Sequence, residues 1–250
     1  MSQWVIKGIR TGIKTTAYPR QEEHAPGTTP GLPADVDAGA DAVSIVACCP
    51  TGALSESDGK ISVDRRRCIH CYRCVRGVEQ PLVWRQDYEW AECPVTQSGG
   101  DGLGPAFRHS IHILVVDAGD CGACLNEVKQ LNNPYYNMHR LGFFITPSPR
   151  HADILLVVGP GTDHMRVPLQ KIYHAMPAPK RVVAVGACAL SGGVFSDSFV
   201  CAGGVEEILP VDVQVPGHPP PPLAILHGLL VATGRKAPAS VSFQLQPERS

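Results

Sequence analysis

Hydrophobic positions change period twice along the chain. Over residues 4–14, Val5, Ile6, Ile9 and Ile13 recur at helical spacing, with Lys7, Arg10 and Lys14 elsewhere around the turn. That pattern predicts a basic amphipathic segment of about three turns, which either packs as a terminal helix or docks on a partner or a membrane surface. Residues 18–37 hold several Pro and Gly and read as an extended arm, and the Ser/Gly-rich stretch 98–107 reads as a flexible linker. Beyond it, β-branched and aliphatic runs at 111–116, 152–159, 181–186 and near 208–215 predict strands, with helical patterns at about 122–131, 165–176 and 222–234. Strands alternating with helices imply a mostly parallel α/β sheet with helices on both faces.

The first of these strands ends in Asp117-Ala-Gly-Asp120 and is followed at once by Cys121-Gly-Ala-Cys124. The two cysteines therefore sit above the carboxyl end of a strand, the edge at which open α/β sheets take their ligands. Gly186-Ala-Cys188, Cys201-Ala-Gly-Gly204 and Gly217-His218 followed by four prolines bring Gly with Cys or His towards the same edge. Together they predict an iron–sulfur pocket. No G-x-G-x-x-G fingerprint stands at a strand–helix turn, since Gly159-Pro-Gly161 runs into Thr162-Asp163-His164. Direct dinucleotide binding is not expected.

Composition narrows the class. A chain of 250 residues suits one or two domains, and its net charge of −1 argues against a nucleic-acid binder driven by phosphate neutralisation. Ten cysteines at these spacings, with no signal peptide expected ahead of them, suit metal binding or redox work rather than a secreted disulfide framework. The apolar runs fall short of the roughly 20 residues a membrane span needs. A soluble protein, or one peripheral on a larger complex, is expected.

A second cysteine set lies ahead of the linker. Cys68-x2-Cys71-x2-Cys74 supplies three thiolates in a tight turn, and Cys49-Pro50 stands 19 residues upstream. In two-cluster bacterial ferredoxins the fourth cysteine of one C-x2-C-x2-C-x3-C-P run ligates the other cluster. Counting back from Cys49 by that rule lands on Ile45, Ala42 and Gly39, and counting forward from Cys74 lands on Val78. All ligands of one cluster are gone and all four of the other are present, a sorting that random loss does not produce. Residues 38–97 thus resemble a two-cluster ferredoxin that now holds one [4Fe–4S] cluster on Cys49, Cys68, Cys71 and Cys74, in a small α+β fold. A zinc ribbon is the bland alternative, and the 54–63 stretch fits a ferredoxin hairpin better. Cys48 reads as a small buried hydrophobe and Cys93 as a structural or free thiol. The arginines at 65–67 and His70 form a solvated face near the cluster or raise its potential by charge.

Once Asp117–Cys124, Ser148-Pro-Arg-His-Ala-Asp, Gly186-Ala-Cys188, Gly203-Gly-Val205 and Pro210–Gly217 are in hand, a family can be named. Residues 108–234 resemble the small electron-transfer subunit shared by respiratory complex I (the 20 kDa subunit of NADH-quinone oxidoreductase) and group 4 [NiFe]-hydrogenases. The Cys-x-x-Cys form of the first pair is similar to the hydrogenase branch, because the complex I proteins typically carry adjacent cysteines there. The resemblance implies a flavodoxin-like α/β domain over 108–235, with a polar tail at 236–250. It also implies a second [4Fe–4S] cluster held by Cys121, Cys124, Cys188 and a fourth cysteine whose place is taken here by His218. Three readings stay open: His218 ligates, Cys201 substitutes, or that cluster is incomplete or lost. Glu127 is a proton-path or interface residue, or a solvated carboxylate. Arg150, His151, Asp163 and His164 are candidates to face a partner, and Arg140 anchors a loop.

The function implied is an electron-transfer subunit, not catalytic alone, with a ferredoxin-type unit fused ahead of it. Its partners would be a catalytic large subunit of hydrogenase or complex I type and other cluster-bearing and membrane subunits, on the cytoplasmic side of the inner membrane. The alternatives are a complex I-like quinone reductase subunit and a scaffold that has lost its second cluster.

Overall fold

The computed structural model describes residues 3–37, 42–76, 82–94, 103–104, 107, 109–196, 198–201 and 203–239. The expected linker and the polar tail therefore lie largely outside the described residues. The amphipathic segment forms α1 (Gln3–Thr11), which contributes no buried residue; Trp4, Ile9 and the following Ile13 stand in solvent. The arm is then strapped to the rest of the chain. The Thr16 N–H donates to the Tyr135 carbonyl at 2.9 Å, the Arg140 guanidinium donates to the Tyr18 carbonyl, and the Tyr18 ring is fully buried edge-on to Tyr88.

Next come β1 (Leu32–Pro33), β2 (Val36–Asp37), α2 (Ala42–Ala47), β3 (Leu54–Ser57), β4 (Lys60–Val63) and β5 (Trp84–Arg85). The antiparallel hairpin of β3 and β4 turns on Asp58-Gly59, both at positive φ, as a two-residue hairpin loop with right-handed strand twist requires. With β2 on its outer edge it forms a three-stranded sheet, and β1 pairs separately with β5. Ala42, Ile45, Leu54, Ile61, Val63 and Leu82 fill a small core beneath it, and Cys49 and Cys74 pack against that core.

The larger sheet holds β6 (Ile111–Asp117), β7 (Phe143–Ile145), β8 (Ile154–Val158), β9 (Arg181–Val185) and β10 (Val213–Val215). All its pairings are parallel and the spatial order is β7-β6-β8-β9-β10, the flavodoxin-like order. Every residue of β8 is buried, as a central parallel strand covered on both faces requires. On one face lie α3 (Ala123–Gln130) and α6 (Pro222–Ala232), on the other α4 (Asp163–Ala175) and α5 (Ala187–Ser191). The α6 helix is buried all round, and Gly228 lets it close on the sheet, where a Cβ would stand 2.4 Å from Val215 Cγ2. Among the described residues no helix is long and apolar enough to cross a membrane.

The amino-terminal part joins the first of these two cores. Tyr18, Leu32, Tyr88, Trp90 and Ala91 pack with β6, β8, β9, β10, α3 and α6. The buried His227 of α6 accepts the Ala91 N–H at Nδ1, 3.1 Å, and its Nε2 faces the Ala237 carbonyl at 3.2 Å. Beside it, Glu92 and Gln214 exchange backbone hydrogen bonds of 2.8 and 2.9 Å, which adds a bridge to the edge strand β10.

Candidate iron–sulfur sites

The four cysteines ahead of the linker converge. Cys49, Cys68, Cys71 and Cys74 line one pocket with Pro33, Ala53, Leu54, Val63, Ile69 and Trp84. They reach it on short, strained turns: His70 and Tyr72, which alternate with the cysteines, both hold positive φ. The Ala53 N–H donates to Cys49 Sγ at 3.3 Å, and the His70 N–H points at Cys68 Sγ and favours its thiolate. Burial nonetheless pushes the Cys68 thiol up to about 12, with Cys74, Cys49 and Cys71 adding to the rise through their mutual proximity. The Trp84 indole N–H is buried without a partner among the described residues and lies against Cys74, where it favours the thiolate. An orphan donor aimed at thiols suits sulfur acceptors, so the residues present fit a [4Fe–4S] cubane. Sequence reasoning missed Trp84, because no local spacing ties it to the cysteines.

The second set gathers at the carboxyl edge of the parallel sheet, beside the point between β6 and β8 where strand order reverses. Asp117 Oδ1 accepts the N–H groups of Gly119 and Asp120, and Asp120 Oδ2 accepts those of Gly122 and Leu125, both at 3.0 Å. These carboxylates fold the turn that carries Cys121 and start α3, so the acid directly ahead of Cys121 was the signal available in the sequence. Cys124 and Cys188 are buried and Cys121 is exposed. Burial pushes the Cys124 thiol well above its usual range and the Cys188 thiol up to about 11, and the three thiols raise one another.

Two glycines leave room for those sulfurs. A Cβ on Gly186 would stand 2.5 Å from Cys124 Sγ, and one on Gly193 would stand 2.8 Å from Cys188 Sγ. The His218 turn is held beside them, because the Gly217 carbonyl accepts the Ala187 N–H at 2.8 Å. Burial lowers the His218 pKa while Asp120 opposes that fall, which places the imidazole on the Asp120 side of the site. Cys201 is buried, and its thiol donates to the carbonyls of Pro160 and Gly203 at 3.1 and 3.3 Å. Glu127 is half-buried on α3 and its pKa is raised by burial. Among the described residues no three His, Cys, Asp or Glu side chains are spaced for a single metal ion. A cubane asks for a wider set, with one thiolate at each iron corner.

The two sets meet across one seam. Ser191, three residues past Cys188, donates its hydroxyl to the Arg66 carbonyl at 3.0 Å, two residues ahead of Cys68. Arg65 and the buried Glu92 form an ion pair of 3.6 Å next to it. His70 and His218 lie within electrostatic reach, so that after burial, which is the larger cause, His218 helps lower the His70 pKa to about 4.

Comparison with known proteins agrees with this geometry. The chain is 42% identical over 137 residues to an uncharacterized protein of Methanocaldococcus jannaschii, covering 55% of this chain and 89% of that one. It is 41% identical over 136 residues to the probable membrane-bound hydrogenase subunit mbhJ of Pyrococcus furiosus, covering 54% and 81%. It is 42% identical over 128 residues to formate hydrogenlyase subunit 7 of Escherichia coli, covering 51% of this chain and half of that one. Residues 121–232, from the first cysteine of the sheet edge to the end of α6, match the family described as NADH ubiquinone oxidoreductase, 20 Kd subunit. With four-fifths or more of two such relatives spanned at over 40% identity, this chain belongs to the NADH ubiquinone oxidoreductase 20 kDa subunit family.

Proposed function

We propose that the chain is an iron–sulfur electron-transfer subunit of a hydrogenase-like membrane-associated oxidoreductase, with a ferredoxin-type unit fused ahead of its 20 kDa-type half. Cys49, Cys68, Cys71 and Cys74 would hold one [4Fe–4S] cluster, and Cys121, Cys124, Cys188 and His218 a second. Each cluster supplies one-electron storage when bound. The protein's part is to hold the ligands, exclude water and aim donors such as the Trp84 N–H at sulfur. The observation that carries this reading is the meeting of both cysteine sets at one seam, with Ser191 beside one and Arg66 beside the other.

The partner face follows from exposure. Val194, Phe195, Phe199 and Val200 stand in solvent on the segment between Cys188 and Cys201, with exposed Cys121 at the same sheet edge. Apolar side chains left in water around a cluster edge suit a catalytic large subunit. A hydrogenase-type partner is favoured by the Cys-x-x-Cys pair and by the names of the relatives from Pyrococcus furiosus and Escherichia coli. Membrane association would come through that complex. A second reading, a scaffold without the second cluster, is favoured only by His218 standing where the family resemblance implies cysteine.

The test is iron and acid-labile sulfide per chain on anaerobic protein, with EPR of the reduced state. About eight irons support the two-cluster relay, about four support the scaffold reading, and none refutes both.

A further inference from the structure

His70 belongs to the Cys68–Cys74 loop yet does not line the pocket that those cysteines surround. Its backbone is pinned at a φ of 52°, in the left-handed region that a β-carbon makes costly, and its ring stands edge-on to Trp84 with centroids 5.5 Å apart. Its Nε2 is buried without a hydrogen-bond partner among the described residues. A buried ring nitrogen left unpaired costs about 1–3 kcal/mol, so such an atom points to a partner that binding of a further group brings into place.

The other side of the seam supplies that partner. The Ser191–Arg66 hydrogen bond fixes the loop against α5, and His218 lies within electrostatic reach of His70. An imidazole that ligates a metal through one nitrogen needs an acceptor for the N–H on the other, which sets its tautomer and ring orientation.

We propose that His70 is a positioning residue for the second site: its Nε2 accepts the ring N–H of His218 and aims the other His218 nitrogen at the space shared by Cys121, Cys124 and Cys188. The fourth ligand of the α/β half is thus oriented by a side chain from the ferredoxin-like half. This pairing rests on the two-cluster reading above. It assigns His70 to the joint between the clusters rather than to the solvated face that the sequence suggests.

The test uses the full chain prepared anaerobically, as wild type, H70F, H70Q, H218C and the H70F/H218C double variant. Three quantities are read: iron per chain, nitrogen hyperfine coupling on the reduced cluster signal, and the rate of iron loss to a chelator. Phenylalanine keeps the ring against Trp84 without the acceptor, and glutamine restores an acceptor. H70F is expected to keep the first cluster and to lose iron from the second about 10–100-fold faster than wild type, the usual cost of removing a ligand's outer partner. H70Q should recover most of that loss, and H70F should have no effect once residue 218 is cysteine. Equal rates in H70F and wild type overturn the proposal, as does an equal acceleration in the H218C background. Loss of the first cluster in H70F overturns it too, since His70 would then serve its own loop. Wild-type protein with about four irons and no nitrogen coupling refutes the two-cluster reading itself.

Discussion

Glu92 carries an electrostatic load that its neighbours only partly relieve. Loss of hydration raises its pKa to about 7 against the pull of Arg65 and Arg66, from an ordinary 4.5. The folded state therefore binds a proton more tightly than the unfolded chain. The stabilisation this gives is complete below pH 4.5 and is lost as pH rises towards about 7. Urea unfolding followed across that window should show stability falling by at most ~1.4 kcal/mol per pH unit from this group, and E92Q should flatten that slope. Most of the ligand set is legible at this scale. Cys49, Cys68, Cys71 and Cys74 announce themselves because a cubane constrains spacing within one short loop. Trp84, Glu92 and Ser191 do not, since each acts on residues distant in sequence.

At the scale of elements, the turns at the sheet edge decide what the site can hold. Gly186 joins β9 to α5 at a φ of 92° and lies against Cys124 Sγ. A methyl there meets both a backbone penalty and a sulfur that must move. G186A should lower iron at the second site by at least half while leaving the first cluster's EPR signal intact, on anaerobic protein assayed for both. The strands β6, β8 and β9 are readable from sequence because burial on both faces leaves an unbroken aliphatic run. The edge strand β7 is not: it has three residues, and Phe144 and Ile145 are exposed. The α5 helix has five residues, too few for a period, although Cys188 at its second position stands at the sheet edge where its neighbouring glycine places it. The predicted strand near 208–215 shrinks to Val213–Val215, because Val205–Glu207 winds into a 3-10 turn just ahead of it.

The whole molecule is held by the arm as much as by the sheet. Tyr18 is buried where the arm, residues 88–91 and α6 share one core, whereas α1 touches none of it. Y18A should cost ~3 kcal/mol or more in urea unfolding, in line with other buried aromatic truncations, while I9A should stay within ~0.5 kcal/mol. The sequence pattern predicts an extended arm but not its clamp, because Arg140 and Tyr135 lie more than a hundred residues away. The parallel sheet, its ligand edge and the hairpin at 54–63 all follow from local periodicity and turn residues. The seam between the two cysteine sets does not.

That seam is modest: a hydroxyl on a carbonyl, one ion pair and a short backbone bridge between Glu92 and Gln214. As a contact between two separate polypeptides it would be made only at high protein concentration. On one chain, with a short Gly/Ser-rich connection, each half meets the other at an effective concentration on the order of millimolar. Dilution therefore cannot part them, and the ratio of the two cysteine sets is fixed at one to one by translation. In a relay, that makes continuity a property of the gene rather than of the cell's supply of separate parts.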